Sequence, residues 1–123
     1  MVGFPAWSPD GKLIAAQMKR GEDTHIVMLA DSGGPLTQLT FHHGQSWPHS
    51  WSPDGDQVIF ARQETNKLWN VWGVSRSTKK EKQLTHYSKL DAYVRYPAIS
   101  PRGDQLVYEY TESTGNIWML ELK

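Results

Sequence analysis

Short apolar runs alternate with polar turns along the whole chain, and no segment keeps apolar residues at helical spacing. Pro or Gly interrupts every longer stretch, which favours turns over continuous helix. Each apolar run is therefore predicted to be a β-strand. The predicted strands are 4–7, 13–18, 25–29 and 36–40, then 48–51, 57–61, 69–75 and 82–85, and finally 96–99, 105–110 and 116–122.

The strands fall into three repeats that share a turn motif. Trp7-Ser8-Pro9-Asp10-Gly11 returns as Trp51-Ser52-Pro53-Asp54-Gly55 and, altered, as Ile99-Ser100-Pro101-Arg102-Gly103. Pro restricts φ, Asp bonds to the backbone ahead of it and Gly tolerates positive φ, so the motif predicts a tight turn. The three serines stand 44 and 48 residues apart, close to the roughly 40–50 residues of a four-stranded propeller blade.

We therefore predict an all-β fold of three four-stranded antiparallel blades. Residues 1–123 form one partial β-propeller domain, with blades at 4–40, 46–85 and 95–123. The third repeat has no counterpart of the strands that contain Gln38-Leu39-Thr40 and Gln83-Leu84-Thr85, so its blade is predicted to lack the outer strand.

These repeats resemble the TolB-type, or WD-like, β-propeller family. The family's blade pattern is S-P-D-G, an I-A-F-like strand, an I-Y-V-M-like strand, a Gly-Gly turn and a closing L-T. The first repeat carries the later parts as Ile14-Ala15-Ala16, Ile26-Val27-Met28, Gly33-Gly34 and Leu39-Thr40. The resemblance covers nearly the whole chain and implies the C-terminal three blades of a longer propeller. It also suggests a periplasmic or extracytoplasmic location, although the chain shows no signal peptide and its sequence leaves the compartment open.

Composition narrows the range of partners. The chain has 13 basic and 13 acidic side chains and no basic stripe, which disfavours nucleic acid as a partner. Without cysteine it forms no disulfide or thiolate metal site. No apolar stretch is long enough for insertion into a membrane.

Three blades are too few for a ring, because propellers have about four to eight. A half-ring would expose the apolar faces of its end blades, and the strand at 116–122 would be an open edge. Two copies arranged head-to-tail would complete six blades and bury both faces. We therefore predict a homodimer.

The links between blades, 41–49 and 86–96, converge on the side opposite the S-P-D-G turns. Several loops meet there near the axis, as is common for ligand sites, and aromatic and Arg side chains dominate binding hot spots. Packing between blades is an open alternative for Trp47 and Tyr93, whereas Trp7, Trp51, Trp72 and Trp118 are predicted to be core. The predicted ligand-binding residues are Trp47, His49, Trp69, Tyr87, Tyr93 and Arg95.

His42, His43 and His49 are metal candidates, since imidazole binds Zn, Mn or Fe. The alternative is that they are ordinary loop histidines, and no carboxylate pattern supports a metal, so we predict neither metal nor cofactor. Asp10 and Asp54 recur in the turns and are predicted to cap them rather than to act in catalysis.

Three functions follow as hypotheses. The first is a non-catalytic binding or scaffolding module for a protein, peptide or glycan. The second, implied by the resemblance, is the regulatory propeller of a prolyl-oligopeptidase-like serine peptidase. The third is a metal-dependent polysaccharide lyase or hydrolase that uses the link histidines. The first is favoured, since no G-x-S-x-G nucleophile motif is present.

Overall fold

A computed structural model describes residues 2–112 and 115–121 of the protein. All regular elements in these ranges are β-strands, which confirms the predicted all-β class. The strands are β1 Val2–Trp7, β2 Leu13–Arg20, β3 Asp23–Ala30, β4 Thr37–Gln38, β5 Gln45–Trp51, β6 Gln57–Gln63, β7 Trp69–Ser75, β8 Glu81–Gln83, β9 Tyr93–Ile99, β10 Gln105–Thr111 and β11 Gly115–Glu121.

The strands form three antiparallel meanders in sequence order. The first sheet is β1-β2-β3-β4, the second is β5-β6-β7-β8, and the third is β9-β10-β11. In the described residues the third sheet has three strands, as predicted from the missing Gln-Leu-Thr segment. No helix in this part of the chain has the length and apolar character needed to cross a membrane.

The inner and outer strands differ in length from the prediction. The inner strands β5 and β9 begin three residues earlier than predicted, at Gln45 and Tyr93. The outer strand β4 is shorter than predicted, because a side-chain hydrogen bond replaces the backbone ladder after the end of β4. Thr40 Oγ1 accepts a hydrogen bond from Ile26 N at 2.9 Å, and Thr85 does the same for Val71 N. The recurring Leu-Thr pair thus closes each of these two sheets.

The S-P-D-G turns are held by their own side chains, which confirms the capping role of the aspartates. Ser8 Oγ donates to Asp10 Oδ1 at 2.7 Å and accepts from Leu13 N at 3.0 Å. Backbone and hydroxyl donors, with the Lys12 amide first, lower the pKa of Asp10. In the third turn, Arg102 stands at the Asp position, and Asp104 accepts from Ser100 Oγ instead at 2.9 Å.

Adjacent sheets bury their facing sides against each other. Ala15, Ile26 and Leu39 of the first sheet pack against Val58 and Phe60 of the second. The second and third sheets form a separate core, which includes the buried side chains of Ile59, Val71, Val94, Leu106 and Tyr108.

One hydrogen bond between inner strands ties the first two sheets together. Trp51, which is 7% exposed, donates from Nε1 to the carbonyl oxygen of Ala6 at 2.9 Å. Across the next interface, Ser50 Oγ donates to the carbonyl oxygen of Pro97 at 3.0 Å. Each interface therefore combines apolar packing with polar contacts to an inner strand.

The core prediction for Trp7 is wrong in this structure. Its side chain is 58% exposed, although it occupies the same repeat position as Trp51. The preceding residue, Ala6, packs toward the second sheet. Because successive strand side chains point to opposite faces, Trp7 lies on the face turned away from that sheet. The side chain of Trp118 lies outside the described part.

Replacing Trp51 by Phe tests the hydrogen bond between sheets. The variant Trp51→Phe removes the Nε1 donor and leaves the half-buried Ala6 carbonyl without it, so we expect a loss of about 1–2 kcal/mol in the free energy of unfolding. Urea denaturation followed by far-UV circular dichroism measures this loss. Trp72→Phe is the matched control, because the buried Trp72 Nε1 has no acceptor among the described residues. An equal loss in both variants would show that ring size, not the hydrogen bond, is responsible.

Candidate functional site

Each inner strand bends at a β-bulge, and the bulges stand at the same repeat position. The register shifts between Gly3 and Ala6 on β1, between Pro48 and Ser50 on β5, and between Arg95 and Ala98 on β9. A bulge bends its strand and redirects the side chain of the extra residue. The three bulges therefore lie at corresponding positions on the surface that the inner strands form.

Two of the bulges hold an aromatic residue in left-handed backbone geometry. Phe4 has φ of 52° and Tyr96 has φ of 55°, and each stands four residues before the serine of its S-P-D-G-type turn. This conformation costs of the order of 1–3 kcal/mol for a bulky residue. Both rings remain exposed, at 56% and 63%. The backbone is therefore strained at two positions that present aromatic rings to solvent.

The exposed rings belong to two aromatic groups that line one cavity. The Phe4 ring stacks on Trp47 at a centroid distance of 5.9 Å, and Trp47 meets the edge of Trp69 at 5.3 Å. His49 packs edge-to-face on Tyr96 at 5.6 Å. We call these five residues, Phe4, Trp47, His49, Trp69 and Tyr96, the aromatic wall.

Arg95 supplies the charged group beside the aromatic wall. Its guanidinium carbon lies 5.2 Å from the Tyr93 ring centroid and 5.8 Å from that of Tyr96. Arg95 Nη2 donates to Glu109 Oε1 at 2.9 Å. Hydrogen bonds from Thr111 and then Arg95 lower the pKa of Glu109, so the pair remains ionised at neutral pH.

A cavity of about 240 Å³ opens between the aromatic wall and Arg95. Two buried nitrogen atoms in its lining have no hydrogen-bond partner among the described residues: His49 Nε2 and Arg95 Nε. Burial lowers the pKa of His49, so its imidazole is neutral at pH 7. The cavity is lined by Phe4, Pro5, Trp47, Pro48, His49, Arg95 and Tyr96.

A larger groove, of about 780 Å³, lies between the second and third sheets beside their S-P-D-G-type turns. Several of its polar side chains already bond to one another. Asp56 accepts from Ser75 Oγ and Ser77 Oγ, both at 2.8 Å, and Asp54 accepts from Ser52 Oγ. These contacts hold the turns, so we place the candidate site at the smaller cavity, where two polar atoms lack partners among the described residues.

Comparisons with known proteins agree on the architecture. No protein-family profile matches the chain. The Tol-Pal system protein TolB of Francisella tularensis subsp. mediasiatica is 28% identical over 85 residues, which cover 68% of this chain and 20% of that protein. A TolB structure from Agrobacterium tumefaciens superposes with a TM-score of 0.86 at 24% identity, covering 98% of this chain and 43% of that one. The chain has the fold of β-propeller blades, similar to the blades of the matched TolB proteins.

Peptidases are also similar to this chain. The uncharacterized peptidase YuxL of Bacillus subtilis is 37% identical over 57 residues, covering 45% of this chain and 8% of that protein. A structure from a study of two prolyl endopeptidases superposes with a TM-score of 0.72 at 17% identity, covering 99% of this chain and 18% of that one. The aligned region spans about a fifth of the length of the matched Francisella TolB.

The structure brings five of the six predicted ligand residues together. Trp47, His49 and Trp69 belong to the aromatic wall, and Tyr93 stacks on Arg95 beside it. The prediction that Trp47, Tyr93 and Arg95 lie in link loops is wrong, because they lie in β5 and β9. The strand pairing of β5 and β9 continues past their bulges into segments whose mixture of polar and aromatic residues is not typical of a strand.

Tyr87 lies apart from the other predicted residues. Its ring stacks on Tyr110 at 4.1 Å, and its hydroxyl lies 2.6 Å from that of Tyr108. These tyrosines pack in the core between the second and third sheets. Burial, with a hydrogen bond to Glu112, raises the pKa of Tyr110 to about 12, so the group is neutral and structural at physiological pH.

The link histidines do not converge. His42 Nε2 pairs with Glu81 Oε2 at 2.8 Å, whereas His43 Nδ1 pairs with Asp23 Oδ2 at 2.8 Å. His49 lies in the aromatic wall. The described residues contain no group of three His, Cys, Asp or Glu side chains that could hold a metal, so they provide no support for the metal-dependent lyase hypothesis.

Sequence reasoning missed Phe4 and Tyr96. A local signal was present, because each is an aromatic residue directly before proline, in Phe4-Pro5 and Tyr96-Pro97. Proline has no N–H to donate to a ladder and is tolerated at bulges. An aromatic-proline pair four residues before the repeated serine is therefore the pattern that marks this site.

The neutral, half-buried His49 predicts a pH dependence of stability. Its folded-state pKa is below the ordinary 6.5, so the unfolded chain takes up a proton first as the pH falls. The stabilising contribution is complete above about pH 6.5 and is lost below it. Urea midpoints should fall between pH 7.5 and 5.5, and His49→Phe should reduce that fall. The control His86→Gln alters an exposed histidine and should keep the full decline; an unchanged decline in His49→Phe would contradict the assignment.

Proposed function

We propose that this chain is a non-catalytic binding module whose protein, peptide or glycan ligand lies on the aromatic wall. The observation that carries the proposal is the pair of exposed aromatic rings, Phe4 and Tyr96, held by left-handed bulges at equivalent repeat positions. We take residues 1–123 as one partial propeller domain with blades near 4–40, 46–85 and 95–123.

Strain and exposure together support a binding role for these rings. A bulky residue with positive φ lowers stability, and such residues cluster at functional sites. Folding alone gains little from rings that are more than half exposed. A ligand covering Phe4, Trp47 and Tyr96 would recover that apolar area, and aromatic and Arg side chains carry most of the binding energy at protein interfaces.

The names of the relatives favour a protein ligand among the three classes. Several relatives bear the name Tol-Pal system protein TolB, which assigns them to a system. A blade surface that binds another protein is consistent with the name of these relatives. We extend this to the present chain as a proposal, because the match covers 20% of the relative.

Similarity to peptidases supports a second candidate function. The 57-residue match to YuxL and the superposition on a prolyl endopeptidase propeller fit a regulatory propeller that faces a hydrolase domain. In that case the partner of the aromatic wall would be a peptidase domain or its peptide substrate. A peptidase domain supplied separately should then bind the chain, and its hydrolysis of peptides should change when the chain is added.

Alanine substitution in the aromatic wall tests the binding function. Peptides selected from a phage-displayed library on the wild-type chain should lose at least about tenfold in affinity with Trp47→Ala or Arg95→Ala, or about 1.4 kcal/mol. Isothermal titration calorimetry measures this. Phe41→Ala is the control, because the Phe41 ring is 63% exposed and lies outside the aromatic wall. Unchanged affinity in both wall variants, with folding intact, would refute the proposed surface.

We also propose that two copies of this chain associate through the face that bears Trp7. Within the chain, Trp51 donates to the Ala6 carbonyl across the interface between sheets. Trp7 is its repeat equivalent and is exposed, and Ala98, the repeat equivalent of Ala6, is also exposed. The third sheet of a second copy could therefore meet Trp7 as the first sheet meets Trp51.

Sedimentation equilibrium of the 123-residue chain tests this association. We expect a dimer at micromolar concentration and a monomer for Trp7→Lys, because a charge on this apolar face would have no partner. Phe41→Lys places the same charge on another exposed ring and should leave the dimer intact. A wild-type chain that stays monomeric at tens of micromolar would rule out the association.

A further inference from the structure

The cavity beside the aromatic wall contains few polar atoms. Its walls are the rings of Phe4, Pro5, Trp47, Pro48 and Tyr96. The two other lining residues, His49 and Arg95, each have a buried nitrogen without a partner among the described residues. Leaving a buried donor unpaired is unfavourable, and a few placed polar groups in an apolar pocket orient a ligand.

The charge of Arg95 is already balanced. Glu109 accepts from Arg95 Nη2 at 2.9 Å, and hydrogen bonds from Thr111 and Arg95 favour its ionised form. A ligand carboxylate near Arg95 would therefore meet the negative charge of Glu109. Arg95 Nε is buried and has no partner among the described residues, and the group that suits it is a neutral acceptor such as a carbonyl oxygen.

The lining of the cavity favours an apolar group. Phe4 and Trp47 stack on each other with an interplanar angle of 9°, and two prolines also line the cavity. A volume of about 240 Å³ is smaller than the roughly 300–1,000 Å³ of a drug-sized site, so it suits one residue rather than a whole ligand. A sugar ring buried there would bring several hydroxyls to a lining with two polar side chains.

We propose that the cavity binds an uncharged peptide segment, with a proline or aromatic side chain against the wall and a main-chain carbonyl accepting from Arg95 Nε. This rests on the proposed binding function and selects peptide over glycan and acidic ligands. Neutral His49 adds a second hydrogen-bonding atom for the same main chain. Arg95 thus acts as a specificity-determining residue through its geometry rather than its net charge.

Indole NMR signals provide the test. The side chain of Trp47 is assigned with Trp47→Phe, and the ¹⁵N-labelled full chain is titrated with three probes: acetyl-Gly-Trp-Pro-Gly-amide, acetyl-Asp-Trp-Pro-Asp-amide and cellotetraose. We expect the uncharged peptide to shift the Trp47 signal at the lowest concentration. Its dissociation constant should change less than about twofold between 50 and 500 mM NaCl, since no net charge is being paired.

Arg95→Lys separates geometry from charge. Lysine keeps the cation opposite Glu109 but has no Nε of guanidinium geometry, so we expect at least about tenfold weaker binding of the uncharged peptide. Arg76→Lys is the matched control, because Arg76 is exposed and donates to the Gly55 carbonyl at a distant turn; this variant should bind like the wild type.

The outcomes separate this inference from the proposed function. Tighter binding of the Asp peptide or cellotetraose at Trp47 would overturn the inference and leave the binding function standing. Unchanged affinity in Arg95→Lys would overturn the role of Nε. If no probe shifts Trp47, the inference fails, and the binding function fails with it only when the phage library also yields no Trp47-dependent binder.

Discussion

A four-stranded meander has two faces and cannot cover either one itself, so every sheet in this chain depends on a neighbouring sheet. The second sheet meets this constraint on both sides: Val58 and Phe60 pack toward the first sheet, and Ile59 and Val71 toward the third. Because neighbouring residues on one strand serve opposite interfaces, β6 is buried from Val58 to Arg62. The second sheet therefore contributes to both interfaces between sheets.

The same stacking positions the candidate site. The inner strands β1, β5 and β9 come side by side only because their sheets pack face to face. Phe4 from the first sheet then stacks on Trp47 from the second, and His49 meets Tyr96 from the third. No single blade contains the aromatic wall, and its rings come from residues up to 92 positions apart in the chain. The bulges add the last requirement, since they turn Phe4 and Tyr96 outward at the cost of backbone strain.

Prediction from the sequence was strongest where the determinants are local. The turns were predicted in position and role because Ser8, Asp10 and Gly11 hold one another through contacts within five residues. Aromatic and basic residues near the links pointed toward the surface that the aromatic wall occupies. Prediction was weaker for Phe4 and Tyr96, because the sign of φ at a bulge depends on register with the neighbouring strand. It failed for Trp7, and it placed Tyr87 on a surface, whereas the structure packs that ring on Tyr110.

Trp7 and Trp51 show most clearly which features the sequence determines and which the tertiary structure decides. By itself the sequence determined that both stand at the end of an inner strand before a hydrogen-bonded turn, because turn chemistry and strand alternation need only nearby residues. Only the tertiary structure decided that Trp51 is buried against Ala6 while Trp7 is 58% exposed. The physical reason is that burial requires a second surface, and that surface comes from a different sheet.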